Sequence, residues 1–311
     1  MDVLSEVLTL LKPRSFLTAC LDAGGSWSIR SENRIGAIKC YAIEEGMCWL
    51  KVDGLDAPTL LSSGDCFVLP NGRSFTLASD LSLPPTPAID VLGLASPGGI
   101  VRHNGGGDTT LIGTRFEVDP RRAAMLLAPL PPLMLLQNIE DQAILRWAIT
   151  RIMAEMRLKN AGASLAAHHL AHLMLLQAFR LHLALHRPEG MSWFSGLNDP
   201  RVGRAIEAMH AKPAHRWTLD ELAIEAGLSR STFARRFRET VGDTPFAYLT
   251  AWRMMLATEM LSASRETLSK IAYSIGYDSE NSFNTAFKRV MGCSPRRYVK
   301  DDVEEAGYSV T

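Results

Sequence analysis

Cysteine is scarce and unpatterned in this sequence: Cys20, Cys40, Cys48, Cys66 and Cys293 form an odd, scattered set with no C-x-x-C pair. That argues against a disulfide framework and a cysteine-built zinc site, and it suits buried thiols in a reducing compartment. A redox sensor built on Cys40 and Cys48 is the alternative left open. Before residue 168 the only histidine is His103, so a metal held by several imidazoles is not expected there. Long apolar runs are missing too. The stretch Ala161 to Phe179 is broken by His168, His169 and His172, and Ala123 to Leu136 holds three prolines, so neither is expected to span a bilayer. The start, Met1-Asp2-Val3-Leu4-Ser5-Glu6, is acidic, and the apolar residues after it are interrupted by Lys12, Pro13 and Arg14. No secretory signal is read there, and a cytoplasmic chain is expected. Net charge is absent as well, with 33 Lys plus Arg against 33 Asp plus Glu.

A zero balance argues against a protein that coats nucleic acid with its whole surface, but the charges are unevenly placed. Between Leu197 and Lys300 there are 16 Lys plus Arg against 11 Asp plus Glu, and the rest of the chain has 17 against 22. The C-terminal third is therefore the basic end, as phosphate contact requires. A length of 311 residues with 47% hydrophobic content suggests about two domains with ordinary cores.

The basic end contains a duplicated pattern. Ser229-Arg-Ser-Thr-Phe233-Ala-Arg-Arg-Phe237 aligns with Ser279-Glu-Asn-Ser-Phe283-Asn-Thr-Ala-Phe287. Gly242 with Gly292, Pro245 with Pro295 and Tyr248 with Tyr298 keep the same register. Each copy reads as helix, turn, helix. In the first, Thr218 and Glu221 have the spacing of a capping box, Leu219, Leu222, Ala223 and Ala226 share a face, and Gly227 ends the helix. Ser229 then caps a second helix that points Phe233 and Phe237 inward. Arg230, Ser231, Ala234, Arg235 and Arg238 face outward. In the second copy Thr267, Leu268, Ile271, Ala272 and Gly276 take the first-helix positions, and Glu280, Asn281, Asn284, Thr285 and Lys288 face outward from the second helix. Arg can grip guanine by two hydrogen bonds and Asn adenine, so these faces suit a DNA major groove.

The stretch from about Asp199 to Lys300 resembles the DNA-binding domain of the AraC/XylS family of bacterial transcription regulators. The residues that carry this include Ala223-x-x-Ala226-Gly227-Leu228-Ser229, Trp252-Arg253-Met254, Ile271-Ala272 with Gly276-Tyr277, and Gly292-x-Ser294-Pro295-x-x-Tyr298. The resemblance implies two helix-turn-helix units, at about 218–240 and 267–291, that enter successive major grooves of double-stranded DNA from the ends of one linking helix. Position by position, it implies base contacts from Ser231, Ala234 and Arg235 and from Asn281, Asn284 and Thr285. Ala234 and Thr285 are short where relatives often carry longer groups, which leaves Arg235 dominant in the first unit.

From about Leu8 to Phe116 the texture is β. Short, partly alternating runs at Ile35–Ile43, Met47–Val52, Cys66–Leu69, Ser74–Leu77, Ile89–Leu92 and Thr110–Phe116 are separated by Gly, Pro, Asn or Asp. Such spacing implies a sandwich or barrel. Gly64-Asp-Cys-Phe-Val-Leu-Pro-Asn-Gly72 resembles the second motif of the cupin jelly rolls. Phe75 stands where metal-binding cupins place a histidine, so no metal and no cofactor are expected. Trp27, Arg30, Tyr41, Trp49, Arg73 and Arg102 are the candidate contacts to a polar or anionic small-molecule effector, with Lys51 and His103 as further candidates. Asn104-Gly-Gly-Gly-Asp108 reads as a hairpin tip or a lid.

After Asp119-Pro120 the texture turns helical. Gln142 to Lys159 and about Leu165 to His186 read as two helices, for which the resemblance implies a dimerisation surface. His168 with His172 and His182 with His186 have the spacing of helical metal pairs but lack an acidic or cysteine partner nearby. Pro188 to Gly196 reads as a linker.

The expected fold class is α+β: a cupin or jelly-roll β-barrel over 1–120, a helical dimerisation segment over 121–196, an all-α DNA-binding domain over 197–300 and a disordered tail over 301–311. The expected function is a sequence-specific, effector- or dimerisation-controlled transcription regulator at the bacterial nucleoid. It would be a homodimer, with RNA polymerase as a possible further partner and no membrane. Two other readings stay open: a cupin-type enzyme, and a barrel that only dimerises.

Overall fold

The computed structural model describes residues 2–93, 99–137, 143–158, 160–185, 190–263 and 266–300; the expected disordered tail and His186 lie outside them. The chain forms two compact units. One is Pro13–Pro188; the other joins Met1–Lys12 to Glu189–Thr311. The sequence reading assigns the first twelve residues to the barrel, whereas here they group with the C-terminal helices.

The chain enters with α1 (Val3–Leu11), capped by the Asp2 carboxylate, which accepts from the Ser5 amide at 2.9 Å. Val3, Leu4, Val7, Leu10 and Leu11 are its buried face. That 3–4 spacing is a helical stripe, so the β texture begins only after Lys12.

The strands are β1 (Arg14–Ala23), β2 (Ser28–Ser31), β3 (Ala37–Glu45), β4 (Met47–Val52), β5 (Thr59–Ser62), β6 (Cys66–Leu69), β7 (Phe75–Ala78), β8 (Thr86–Pro87), β9 (Ile100–His103), β10 (Thr109–Glu117) and β11 (Met134–Leu136). They build a six-stranded sheet, β11-β6-β3-β10-β1-β9, and a five-stranded sheet, β5-β4-β7-β2-β8. β6 and β7 are buried along their whole length, and alternation shows on β4. Cys48, Leu50 and Val52 of β4 are buried while Met47 and Lys51 are exposed. The core gathers Leu21, Ile29, Tyr41, Phe67, Phe75 and Leu111, among others, from both sheets.

Two expectations are corrected. Ile89–Leu92 is not a strand but lies in the short helix α2 (Ala88–Leu92). Ala88, Val91 and Leu92 pack on the barrel core, a spacing that only a helix puts on one side. The Asn104–Asp108 segment is not a hairpin tip, because β1 lies between β9 and β10. It crosses the end of β1, where the Gly107 amide donates to Asp22 at 2.7 Å.

After α3 (Pro120–Leu126), capped by Asp119, come α4 (Ala143–Leu158) and α5 (Ala163–Leu185). These pack on each other and on the six-stranded sheet. The four cysteines of this unit are buried free thiols. Burial pushes the Cys20 and Cys48 thiols up to about 12.

The C-terminal unit holds α6 (Trp193–Asn198), α7 (Val202–Ala211), α8 (Leu219–Ala226), α9 (Arg230–Val241), α10 (Pro245–Ala263), α11 (Leu268–Ser274) and α12 (Glu280–Met291). Among the described residues no helix is long and apolar enough to cross a membrane.

Candidate nucleic-acid interface and barrel cavity

The two helix-turn-helix units are set by their caps. Thr218 and Glu221 form a reciprocal capping box at the start of α8, and Gly227 ends it in the left-handed conformation with φ 62°. Ser229 caps α9, Thr267 caps α11 and Ser279 caps α12. Phe233 and Phe237, and Phe283 and Phe287, are wholly buried. Burying those rings fixes which face of α9 and α12 stays outside.

Several contacts hold the two units in one body. The Arg253 guanidinium on α10 donates to the carbonyl oxygens of Pro213 at 2.6 Å and His215 at 2.8 Å, and it lies 5.8 Å from the Tyr277 ring centre. Arg216 pairs with Asp278. Gly276 has φ +88°, and a Cβ there would lie 2.4 Å from the Ala214 carbonyl oxygen. The loop before the first unit therefore seats directly on the turn of the second, and α10 spaces them.

On α9, Arg230, Ser231, Arg235 and Arg238 are exposed and Ala234 is half-buried. Arg230 lies 3.5 Å from Asp220, and Arg235 lies 3.3 Å from Glu239. Exposed pairs of this kind hold weakly, on the order of 0–1 kcal/mol, so a phosphate or base edge can displace them. On α12, Asn281, Thr285 and Lys288 are exposed. Asn284 is half-buried, and its Oδ1 has no hydrogen-bond partner among the described residues. The chemistry offered is mainly donor: guanidinium, ammonium, amide and hydroxyl groups along two short helices.

The barrel encloses a cavity of about 30 Å³ between its sheets, bounded by Ile29, Tyr41, Phe75, Leu77 and Leu111 and closed on one side by Ala88 and Leu92 of α2. Ser31 and Gly113 also reach its wall. Tyr41 is held by its neighbours: its ring centre is 5.3 Å from that of Phe67, stacked, and 5.0 Å from that of Phe75, edge on. Gly113 is required beneath it, since a Cβ there would lie 2.4 Å from Tyr41 Cε1.

A family model described as a cupin matches residues 2–184, and one described as a helix-turn-helix domain matches residues 222–301. A protein of Streptomyces lividans named as an AraC-like transcription regulator is 43% identical over 305 residues, covering 96% of this chain and 98% of that one. The chain belongs to the AraC-like transcription regulators. The HTH-type transcriptional regulator MtrA of Neisseria gonorrhoeae is 27% identical, covering 97% of this chain and 99% of that one. Among solved structures, the DNA-binding domain of AdpA in complex with a target DNA is 28% identical, covers 33% of this chain and 92% of that one, and has a TM-score of 0.32.

In this AraC-like regulator the expected DNA contacts come together on α9 and α12, whereas the expected effector contacts disperse. Only Tyr41 of the six bounds the cavity. Trp27 is buried in the core beside it. Arg30 turns away to Asp53, at 2.6 Å, and Glu32; Arg73 donates to the Asp53 carbonyl oxygen, and Arg102 pairs with Asp22 at 74% exposure. Trp49 lies on the face of β4 opposite Leu50. Of the two further candidates, Lys51 is exposed and His103 is half-buried at the end of β9. Alternation is the signal that finds the wall: on β2, Ile29 and Ser31 share one face and Arg30 takes the other. Among the described residues no three His, Cys, Asp or Glu side chains gather as a metal site. The His172 ring instead lies between two carbonyl oxygens, with Nδ1 2.8 Å from that of His168 and Nε2 2.9 Å from that of Pro13.

Proposed function

We propose that this AraC-like regulator binds a two-part DNA site through α9 and α12 as a cytoplasmic homodimer, and that a small molecule in the barrel shifts its DNA affinity. The observation that carries the reading is the pair of capped recognition helices, each with its aromatic residues buried and its donors outward, fixed in one unit. Arg235 takes the main base contact of the first unit and Asn281 that of the second, with Arg230, Arg238 and Lys288 on phosphates. For the dimer, the support is the apolar surface left on the helical pair: Ile144 is 51% exposed, Trp147 56%, Leu158 64% and Leu165 65%. The barrel's part is binding rather than catalysis, in line with relatives named as regulators. An effector acts by binding one existing conformation more tightly than another.

The test is a binding isotherm for the full chain on DNA upstream of the neighbouring genes against a scrambled duplex, at several salt concentrations. A preference for the natural duplex with a steep fall in affinity as salt rises is expected. Equal affinity for both duplexes overturns the reading. Sedimentation at the same protein concentrations decides the dimer.

A further inference from the structure

Four arginines lie on α9: Arg230, Arg235, Arg236 and Arg238. Arg230 and Arg235 pair with carboxylates that are themselves exposed. Arg236 differs. Its Nε donates to Asp199 Oδ2 at 2.7 Å, and the Asp199 side chain is only 13% exposed. The other carboxylate oxygen is taken as well: Oδ1 accepts from the backbone amides of Arg201 at 2.9 Å and Val202 at 3.1 Å, at the start of α7. Burial pushes the Asp199 carboxyl pKa up, but the hydrogen bonds from Arg236, Val202 and Arg201 bring it below the usual value, so the group is charged at neutral pH. One carboxylate thus ties the beginning of α7 to the recognition helix.

That anchor is itself held. Arg204 donates to the Ala226 carbonyl oxygen at 2.9 Å, and Arg201 donates to that of Gly227. Carbonyls at a helix C-terminus have no partner within the helix, and α7 supplies one to each at the end of α8. α7 is therefore fixed to the turn of the first unit, and Asp199 with it. Successive residues of a helix are about 100° apart. On α9 that places Arg235 nearly opposite the midpoint of Phe233 and Phe237, and Arg236 about 80° from the midpoint, on the flank. Two rings in line hold the helix down along a narrow stripe, and a contact on the flank adds the lever arm against rolling about it. A roll of about 20° moves a group at the helix surface, about 5–6 Å from the axis, by about 2 Å. Hydrogen-bond lengths span only about 0.5 Å. Such a roll breaks a two-bond contact between Arg235 and a base edge, while long side chains can still follow a phosphate.

We infer that Asp199 is a positioning residue for sequence readout: through Arg236 it fixes the roll of α9 and thereby the aim of Arg235 at its base pair. This rests on the reading of Arg235 as the main base contact of the first unit and names what holds it in place.

Competition between the natural site and its single-base variants, measured with the full chain and its variants, tests the inference. Arg235→Ala comes first, since the base pair at which it relaxes the preference is the one to follow. At that pair Asp199→Asn and Arg236→Met should each lower the preference roughly tenfold, an amount within the range of one bidentate base contact. Asparagine keeps an acceptor for the two α7 amides, and methionine keeps much of the arginine's apolar stem. Losing the Asp199 charge by itself favours DNA phosphates, so Asp199→Asn should hold a scrambled duplex at least as tightly as the wild type does. The double variant should lose no more preference than either single one, because the two residues act as a pair. An unchanged melting temperature shows that the fold is intact; if Asp199→Asn melts lower, Arg236→Met, which leaves the α7 cap alone, carries the test. A preference that Arg235→Ala does not relax overturns the base assignment and the inference with it. If Arg235→Ala relaxes it while the other two variants keep the wild-type preference, or lose it additively in the double variant, the inference alone is overturned.

Discussion

Acidification from pH 7 to pH 5 should loosen the C-terminal unit through one histidine. The His210 side chain is 2% exposed. Its Nδ1 lies 2.9 Å from the Glu6 carboxylate of α1, its Nε2 lies 2.7 Å from the Tyr248 hydroxyl, and its ring centre is 3.8 Å from that of Trp252. Burial pushes the Tyr248 hydroxyl pKa up, so that oxygen keeps its proton and donates to Nε2, while Nδ1–H donates to Glu6. The neutral ring satisfies both partners, and burial depresses its pKa from 6.5 to about 3. Below pH 6.5 the unfolded chain therefore binds a proton that the folded one refuses, and stability falls as the pH falls. Integrated between pH 7 and pH 5, the loss is about 2 kcal/mol. Glu6 works against it: burial raises its carboxyl pKa, so its protonation favours the folded state in acid and makes this figure an upper value. Urea unfolding of the full chain at the two pH values, followed by the helical far-UV signal, measures the change. His210→Gln keeps a donor and an acceptor but does not titrate. If the wild type loses no more stability than this variant on acidification, the buried neutral histidine is not the cause.

Arg235→Ala should cost roughly 1–3 kcal/mol of DNA affinity and relax preference at one base pair, read by competition between single-base variants of the site. Arg238→Ala should weaken all sequences alike and flatten the salt slope by about one unit. Thr218→Ala removes the cap of α8 and should destabilise the C-terminal unit by about 1 kcal/mol, seen as a lower urea midpoint. Gly276→Ala forces a Cβ to 2.4 Å from the Ala214 carbonyl oxygen at φ +88°. The left-handed conformation alone costs about 1–2 kcal/mol, so a larger loss is expected, together with weaker binding to DNA sites that need both units.

The DNA-binding half was legible in the sequence because its signals are local. Thr218, Ser229, Thr267 and Ser279 can each be read as a cap from the residues that follow within one turn, and Phe233 with Phe237 fixes the inward face of α9 without reference to anything distant. Once those faces are set, Arg235 and Asn281 have only one direction left. The barrel was legible as a texture but not as a site. Arg30, Arg73 and Arg102 look available in one dimension, yet Asp53 and Asp22, brought alongside by strand pairing, already hold them. Ser31 and Lys39 carry no local sign that they meet; β3 and β2 belong to different sheets, and only their packing face to face brings the Lys39 ammonium to 3.1 Å from Ser31 Oγ. The grouping of Val3–Leu11 with α7 and α10 is equally non-local, since His210 and Tyr248 lie some two hundred residues beyond Glu6. Sequence by itself determined the elements whose stability closes within a turn, and with them the kind of surface shown to DNA. Tertiary structure decided what faces the barrel cavity and which unit holds the N-terminal helix, because burial and long-range pairing choose among partners that the chain alone leaves equivalent.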